Sequence, residues 1–367
     1  MKVAVTGSNG FIGKNLCFFL HEKGYEVLKI QRNTSKNELE SIISKSEFIF
    51  HLAGINRPKN DSDFHEGNVE FTKAITQLLL NNNKTTPILF SSSSQAAIDN
   101  EYGKSKLAAE KILENYSKTT GALCYIYRLP NVFGKWCKPD YNSFIATFCH
   151  NVMHDKELFI NDPSAKVTMV YIDDVCLSFA DLLETKSESG FYSIKNQYES
   201  TVGEIAKIIT SFKDFKNTLV IENVGVGLKR ALYSTFLSYT DPKDFSYPIS
   251  SNEDKRGIFC EMMKTKDSGQ FSFFTALPGI TRGGHYHHSK NEKFLVIKGK
   301  ALFKFENIST GDSHLINVDA NKLELVDTIP GWTHDITNIG DEDLIVMLWA
   351  NEIFDHDKPD TYARELF

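Results

Sequence analysis

The chain is predicted to fold as a doubly wound α/β domain followed by an all-β barrel. Two observations carry this. Over the first 180 or so residues, strand-like and helix-like segments alternate, the pattern of a parallel sheet wrapped by helices. From about Gln270 the helical spacing stops, and short strands follow one another across turns carrying Gly, Asn or Asp. A length of 367 residues fits two or three domains better than one.

The elements follow from local pattern. Lys2–Thr6 is an apolar β run, and Phe11–Lys23 places Ile12, Leu16, Phe19 and Leu20 at helical spacing. Glu26–Ile30, Phe48–Leu52, Ile88–Phe90 and Cys124–Tyr127 read as further strands, with a helix over Ser105–Ser117. In the last third, strands are predicted at Phe271–Ala276, Lys293–Ile297, Ala301–Phe305, Lys322–Val326 and Asp343–Trp349. The proline-flanked polar stretch Thr240–Pro248 marks the boundary, giving domains 1–243 and 244–367. There is no internal repeat and no low-complexity tract.

The composition, 41% hydrophobic and 24% charged, is that of a globular protein. A net charge of −6 argues against a broad nucleic-acid surface. No apolar run is long enough to cross a bilayer, and because Met1–Thr6 enters a strand directly, no signal peptide is expected. The six cysteines (17, 124, 137, 149, 176 and 260) form no C-x-x-C pair and read as reduced residues, most of them in the core. A cytoplasmic enzyme is expected.

Gly7-Ser8-Asn9-Gly10-Phe11-Ile12-Gly13 joins the first strand to the first helix. Glycines at these positions allow a tight turn and close backbone approach to a pyrophosphate, which the helix N-terminus attracts. The second strand ends in Lys29-Ile30-Gln31-Arg32-Asn33, with no acid to hold a ribose 2′-hydroxyl. Arg32 instead suits a 2′-phosphate, so NADPH is favoured over NADH. Tyr102 and Lys106, four apart on a helix, share a face. The cation is expected to lower the phenol's pKa for proton transfer. Ser91-Ser92-Ser93-Ser94 sits just upstream at a strand end, where one hydroxyl can hydrogen-bond a substrate carbonyl.

These pieces, with His51-Leu52-Ala53-Gly54, Arg128-x-x-Asn131-x-x-Gly134 and Tyr171-Ile172-Asp173-Asp174-Val175, resemble an extended short-chain dehydrogenase/reductase acting on nucleotide sugars. The resemblance covers about the first 240 residues and implies a Rossmann-type fold. It implies that Ser93, Tyr102 and Lys106 are catalytic, with Ser92 and Ser94 as alternative registers. Gly7, Asn9, Gly10, Phe11, Ile12, Gly13, Arg32, Leu52, Ala53, Gly54, Tyr102 and Lys106 would hold the cofactor. Asn131, Lys135 and Lys138 would hold the nucleotide diphosphate. The chain departs from the pattern in two ways: only eight residues separate Ser93 from Tyr102, and Ser94-Gln95 replaces the charged partners of sugar dehydratases, favouring a plain ketoreductase.

Gly279-x5-His285-x-His287-x4-Glu292-x6-Gly299 and Pro330-Gly331-x-x-His334-x-x-x-Asn338 resemble the two motifs of the cupin barrels. Residues i and i+2 of a strand face the same way, so His285 and His287 point inward together. With Glu292 and His334 they make a set of three nitrogens and one oxygen, suited to zinc by default. His288 should point outward. Lys293, Asp335 and Tyr286 stand beside these motifs as candidates for a proton-abstracting base.

One substrate needs both sites. A 4-keto sugar has acidic hydrogens at C3 and C5, so a barrel that stabilises the enolate can invert a centre before a reductase removes the ketone. Stretches such as Gly134-Lys135-Trp136-Cys137-Lys138-Pro139 and Asp244-Phe245-Ser246-Tyr247-Pro248 extend the resemblance over nearly the whole chain, to the two-domain enzymes of capsular polysaccharide synthesis. That resemblance implies C3 epimerisation of a UDP-4-keto-6-deoxy-HexNAc by the barrel. NADPH-dependent C4 reduction to UDP-2-acetamido-2,6-dideoxy-L-talose by the first domain would come next, on the route to UDP-N-acetyl-L-fucosamine, with the chain a homodimer. The alternative is a sugar ketoreductase whose barrel is a sensing, dimerising or dioxygenase-type module.

Overall fold

The computed structural model describes all residues except 59, 61, 186, 250, 251, 255, 256, 260–262, 266–268, 353, 354, 356 and 367. Cys260 lies outside the described residues. The other five cysteines are buried and form no disulfide among the described residues, as expected of reduced core thiols. Among the described residues, no helix is long and apolar enough to cross a membrane.

The chain forms two compact units that follow packing rather than chain order. The first contains Met1–Phe133 and Val167–Glu199; the second contains Gly134–Lys166 and Ser200–Phe367.

The first unit is built on six parallel strands. They are β1 (Lys2–Thr6), β2 (Glu26–Ile30), β3 (Phe48–His51), β4 (Ile88–Ser93), β5 (Cys124–Leu129) and β6 (Gly190–Tyr192), in the order β2-β1-β3-β4-β5-β6. Helices α1 (Phe11–Glu22), α2 (Lys36–Lys45), α3 (Phe71–Asn81) and α4 (Glu101–Thr120) lie between them along the chain. Ala4, Ile49, Ile88, Phe90 and Ile126 are fully or almost fully buried in one core cluster. Each large aliphatic or aromatic member contributes about 1.5–3 kcal/mol by leaving water. The order reverses between β1 and β3, and such a switch point opens a crevice at the strands' carboxyl ends. α4 begins four residues before the apolar spacing predicts, because its first turn is polar and is set by Asn100, whose side chain accepts from the Gly103 N–H.

The second unit is an antiparallel barrel of two five-stranded sheets. One runs, in spatial order, Ser246–Pro248, Glu324–Asp327, Glu292–Lys298, Leu344–Ala350, Gln270–Ala276. The other runs Ser313–Asp319, Lys300–Asn307, Trp332–Asn338, Thr281–Tyr286, Tyr362–Ala363. Phe245, from the stretch read as the boundary, is fully buried with its ring 5.1 Å from that of Trp332 and 5.3 Å from that of Phe305. Helices Phe144–Met153, Val202–Lys213 and Gly227–Leu237 pack with one another in this unit.

Candidate functional site

In the first unit the glycine turn packs as its spacing requires. Gly7 has φ +65°, and a Cβ there would lie 2.9 Å from Ala53 Cα. A Cβ on Gly13 would lie 2.2 Å from the Gly7 carbonyl oxygen, so α1 can approach the turn after β1 only without a side chain at Gly13. The Gly7 turn and Leu52-Ala53 therefore meet at the switch point. Thr6 Oγ1 accepts from the N–H groups of Leu52 and Ala53, at 3.0 and 2.9 Å, and clips the two strand ends together. Asn9 and Gly10 are exposed at the turn, and Phe11 and Ile12 open α1 half-buried. Arg32 is exposed just beyond β2.

His51 is held between Thr6 Oγ1 and Thr72 Oγ1, each 2.9 Å from a ring nitrogen. Burial, with the Lys106 charge nearby, pushes its pKa down to about 3, so the ring is neutral. Asn68 belongs to none of the motifs, yet it is central here. Its side chain bonds both the N–H and the C=O of Ile55, at 2.8 and 3.0 Å, and donates to Ser105 Oγ at 2.9 Å. It thereby ties the Gly54 turn to α4.

Tyr102, Lys106 and Ser93 come together. Lys106 is buried, and its ammonium donates to the Ser91 carbonyl at 3.0 Å and lies 4.8 Å from the Phe90 ring centre. A Cβ on Gly54 would sit 3.0 Å from Lys106 Nζ, so that glycine makes room for the ammonium. Burial lowers the Lys106 pKa to about 8, partly offset by Glu110. Tyr102 hydrogen-bonds Ser93, but burial outweighs that bond and raises the phenol's pKa. The expected lowering by Lys106 is not found in the protein alone, since its ammonium lies 6.0 Å from the Tyr102 ring centre and is bonded to the Ser91 carbonyl. Ser92 turns the other way. Its hydroxyl donates to buried Glu110, which Arg128 grips at 3.0 and 2.7 Å. Ser94 is exposed at the start of the following turn. Of the three registers, only Ser93 faces the phenol.

Of the expected diphosphate ligands, Asn131 is in the first unit, exposed, and donates to the Thr168 carbonyl at 3.1 Å. Lys135 and Lys138 are in the second. Lys135 is 1% exposed, with its ammonium 5.4 Å from the Trp136 ring centre. Lys138 is exposed, 5.7 Å from the Tyr141 ring centre.

In the second unit the four predicted metal ligands converge. The candidate ligand atoms of His285, His287, Glu292 and His334 all lie within 4.8 Å of one another. Glu292 Oε2 is 3.2 Å from His287 Nε2 and 3.5 Å from His334 Nε2. Ligands of one cation at 2.0–2.2 Å are about 3–3.6 Å apart, so these residues fit a single ion. Burial and the neighbouring His334 and His287 push His285 down to about 3, and burial lowers His334 too. Burial opposes ionisation of Glu292, yet His287 and His334 hold its carboxyl well below the usual range. Neutral His285 and His334 beside an ionised Glu292 are protonation states that suit a metal.

Strand alternation alone does not assemble this set. The pairing of Thr281–Tyr286 with Trp332–Asn338 shifts between Gly283 and His285, so Gly284 is an extra residue with φ +71°. In regular pairing His285 would face Thr333; the bulge sets it opposite His334. The same alternation turns the three suggested bases away from the cluster. The Lys293 ammonium is bonded to Asp327 at 2.8 Å and to Tyr247 at 3.3 Å. Tyr286 stacks on Tyr362 at 5.5 Å, and Asp335 pairs across the sheet with Gly283 and Lys304. His288, expected outside the set, has its ring 4.9 Å from that of Tyr362.

Residues 3–194 match the NAD dependent epimerase/dehydratase family, and residues 252–362 match the polysaccharide biosynthesis C-terminal domain. The chain belongs to this family, as a CapF-like member. It is 53% identical over 365 residues to the UDP-2-acetamido-2,6-beta-L-arabino-hexul-4-ose reductase of Pseudomonas aeruginosa, covering 99% of this chain and 98% of that one. The crystal structure of the capsular polysaccharide assembling protein CapF from Staphylococcus aureus matches at TM-score 0.69 and 42% identity, over 100% of both chains. A Bacillus cereus UDP-glucuronic acid 4-epimerase shares the fold of the first part. It has a TM-score of 0.53 and 20% identity, over 58% of this chain and 84% of that one. The family implies an NAD(P) cofactor.

Proposed function

We propose that the chain is a bifunctional nucleotide-sugar enzyme of capsular polysaccharide synthesis, reducing the ketone of a UDP-4-keto-6-deoxy-HexNAc after inverting C3. The reading is carried by one observation: a Ser93–Tyr102–Lys106 arrangement beside a dinucleotide turn, and a three-histidine, one-glutamate cluster, in the same chain. The names of the two full-length relatives support the substrate class and the pathway.

For the reduction, Tyr102 gives its phenolic proton to the C4 oxygen and Ser93 donates a hydrogen bond to that oxygen. Lys106 keeps a positive charge beside the phenol as it loses the proton. Arg32 would hold the 2′-phosphate of NADPH, which would supply the hydride. In the barrel, His285, His287, Glu292 and His334 would hold a divalent metal such as zinc, which would supply Lewis-acid polarisation of a ketone oxygen. Epimerisation must precede reduction, because the C3 hydrogen loses its acidity once C4 is an alcohol. Action as a cytoplasmic homodimer, with function dividing near residue 243, belongs to the same proposal.

The test is to add UDP-4-keto-6-deoxy-HexNAc and either cofactor, then identify the product by NMR. The expected result is faster oxidation of NADPH than of NADH and a 2-acetamido-2,6-dideoxy-L-talose product. Arg32→Ala should cut the preference about 10–100-fold, the worth of ionic hydrogen bonds of about 1.5–3 kcal/mol. No oxidation of either cofactor would overturn the reductase reading, and a product with unchanged C3 would overturn the epimerase reading.

A further inference from the structure

The ligands His287 and Glu292 are joined by His288-Ser289-Lys290-Asn291, which lies between two strands. Such a loop has no ladder to hold it, and its N–H groups need partners from elsewhere. Asn351 Oδ1 accepts from the Asn291 N–H at 3.0 Å, and one residue from the far end of the chain takes the other three. Asp360 Oδ1 accepts from the His288 N–H at 2.9 Å. Its Oδ2 accepts from the N–H groups of Ser289 and Lys290, at 2.9 and 2.7 Å, and from Ser289 Oγ at 3.0 Å. Three successive N–H groups converging on one carboxylate form an anion nest, here filled by the chain's own side chain.

The backbone of the same residue reaches a ligand. The Asp360 carbonyl is 2.6 Å from His287 Nδ1. A carbonyl only accepts, so Nδ1 is the donor here, and Nε2, which faces Glu292 at 3.2 Å, is the nitrogen that would meet a metal. The residues after Asp360 run along the strand that bears His285. Ala363 and Tyr362 pair with His285 and Tyr286, and the Arg364 N–H donates to the Gly284 carbonyl at 2.8 Å. Lys290 Nζ adds a bond to Thr361 Oγ1 at 2.9 Å.

We propose that Asp360 is the positioning residue of the metal centre. Its carbonyl fixes the tautomer of His287, and its carboxylate sets the loop spacing His287 from Glu292. The residues after it strap the Gly284 bulge that aims His285. Three of the four ligands thus depend on one C-terminal segment. This rests on the reading of the four-residue cluster as a metal site.

The experiment uses the full chain. Zinc affinity is measured by competition with a chromophoric chelator for the wild type, Asp360→Asn and Asp360→Ala, with circular dichroism to confirm folding. Asparagine keeps the size and tolerates the left-handed backbone of Asp360, φ +37°, but its NH2 opposes the loop's N–H donors. Both variants should bind zinc about 10–100-fold more weakly, the usual loss when a residue supporting a metal-bound histidine is removed. Their cobalt-substituted forms should show an altered ligand-field spectrum, which a purely structural role would not produce. Folded variants that bind within threefold of wild type would overturn the proposal. A wild type that binds no zinc would instead overturn the metal reading itself. If the variants do not fold, hydrogen exchange on the wild type decides. The amides of Ser289, Lys290 and 362–364 should gain protection when zinc is added, since coupling is reciprocal. Unchanged protection would overturn the proposal.

Discussion

At the residue scale, the reductase site turns on which serine faces the phenol. Ser93→Ala and Tyr102→Phe should each lower kcat for reduction, Tyr102→Phe by about 10²–10⁴-fold, the range for a lost general acid. Ser92→Ala should leave kcat near wild type and cost about 1 kcal/mol of stability, because Arg128 still satisfies Glu110. Steady-state rates and thermal melts separate the two serines. The pH profile is set by Lys106. Its ammonium titrates at about 8, so the protonated form falls away above that pH while Tyr102, raised by burial, keeps its proton. The kcat profile should therefore bend down near pH 8, and a plateau reaching the ordinary lysine range would contradict this. Residue spacing showed Tyr102 and Lys106 in the sequence because a four-residue interval fixes a helix face. It did not show Asn68, whose partners Ile55 and Ser105 lie far from it in the chain.

At the scale of elements, two glycine-rich turns do different work. The Gly7 turn was legible, since the lack of room for side chains at Gly7 and Gly13 is written into local spacing. The Gly283-Gly284 bulge was not. The H-x-H spacing explains why His285 and His287 share a face, but not why that face includes His334. Gly284→Val should unseat the bulge, because a β-branched residue resists a φ of +71°, and so shift His285 from its place opposite His334. Zinc affinity should then fall by at least about tenfold, read by chelator competition. Unchanged affinity would mean that the bulge does not set the ligand geometry. The start of α4 was hidden for a related reason: capping by Asn100, not apolar periodicity, sets it.

At the scale of the whole molecule, the order of strand types predicted both architectures. What the sequence did not reveal is how packing divides the chain. Gly134–Lys166 and Ser200–Asp244 pack with the barrel although they lie within or directly after the α/β stretch. Their helices are amphipathic in the ordinary way, and nothing in that pattern says which unit each apolar face will cover. Asp360 was hidden for the same reason, bonding His287 across 73 residues.

The central claim is that one chain carries an epimerase and a reductase for one sugar. It is tested most directly by incubating the protein with UDP-4-keto-6-deoxy-HexNAc in D2O without NADPH and reading the sugar by NMR and mass spectrometry. The account predicts deuterium at C3 in the wild type and none with His285→Ala. Absence of deuterium from the wild-type product, with NADPH still consumed when it is added, would contradict it.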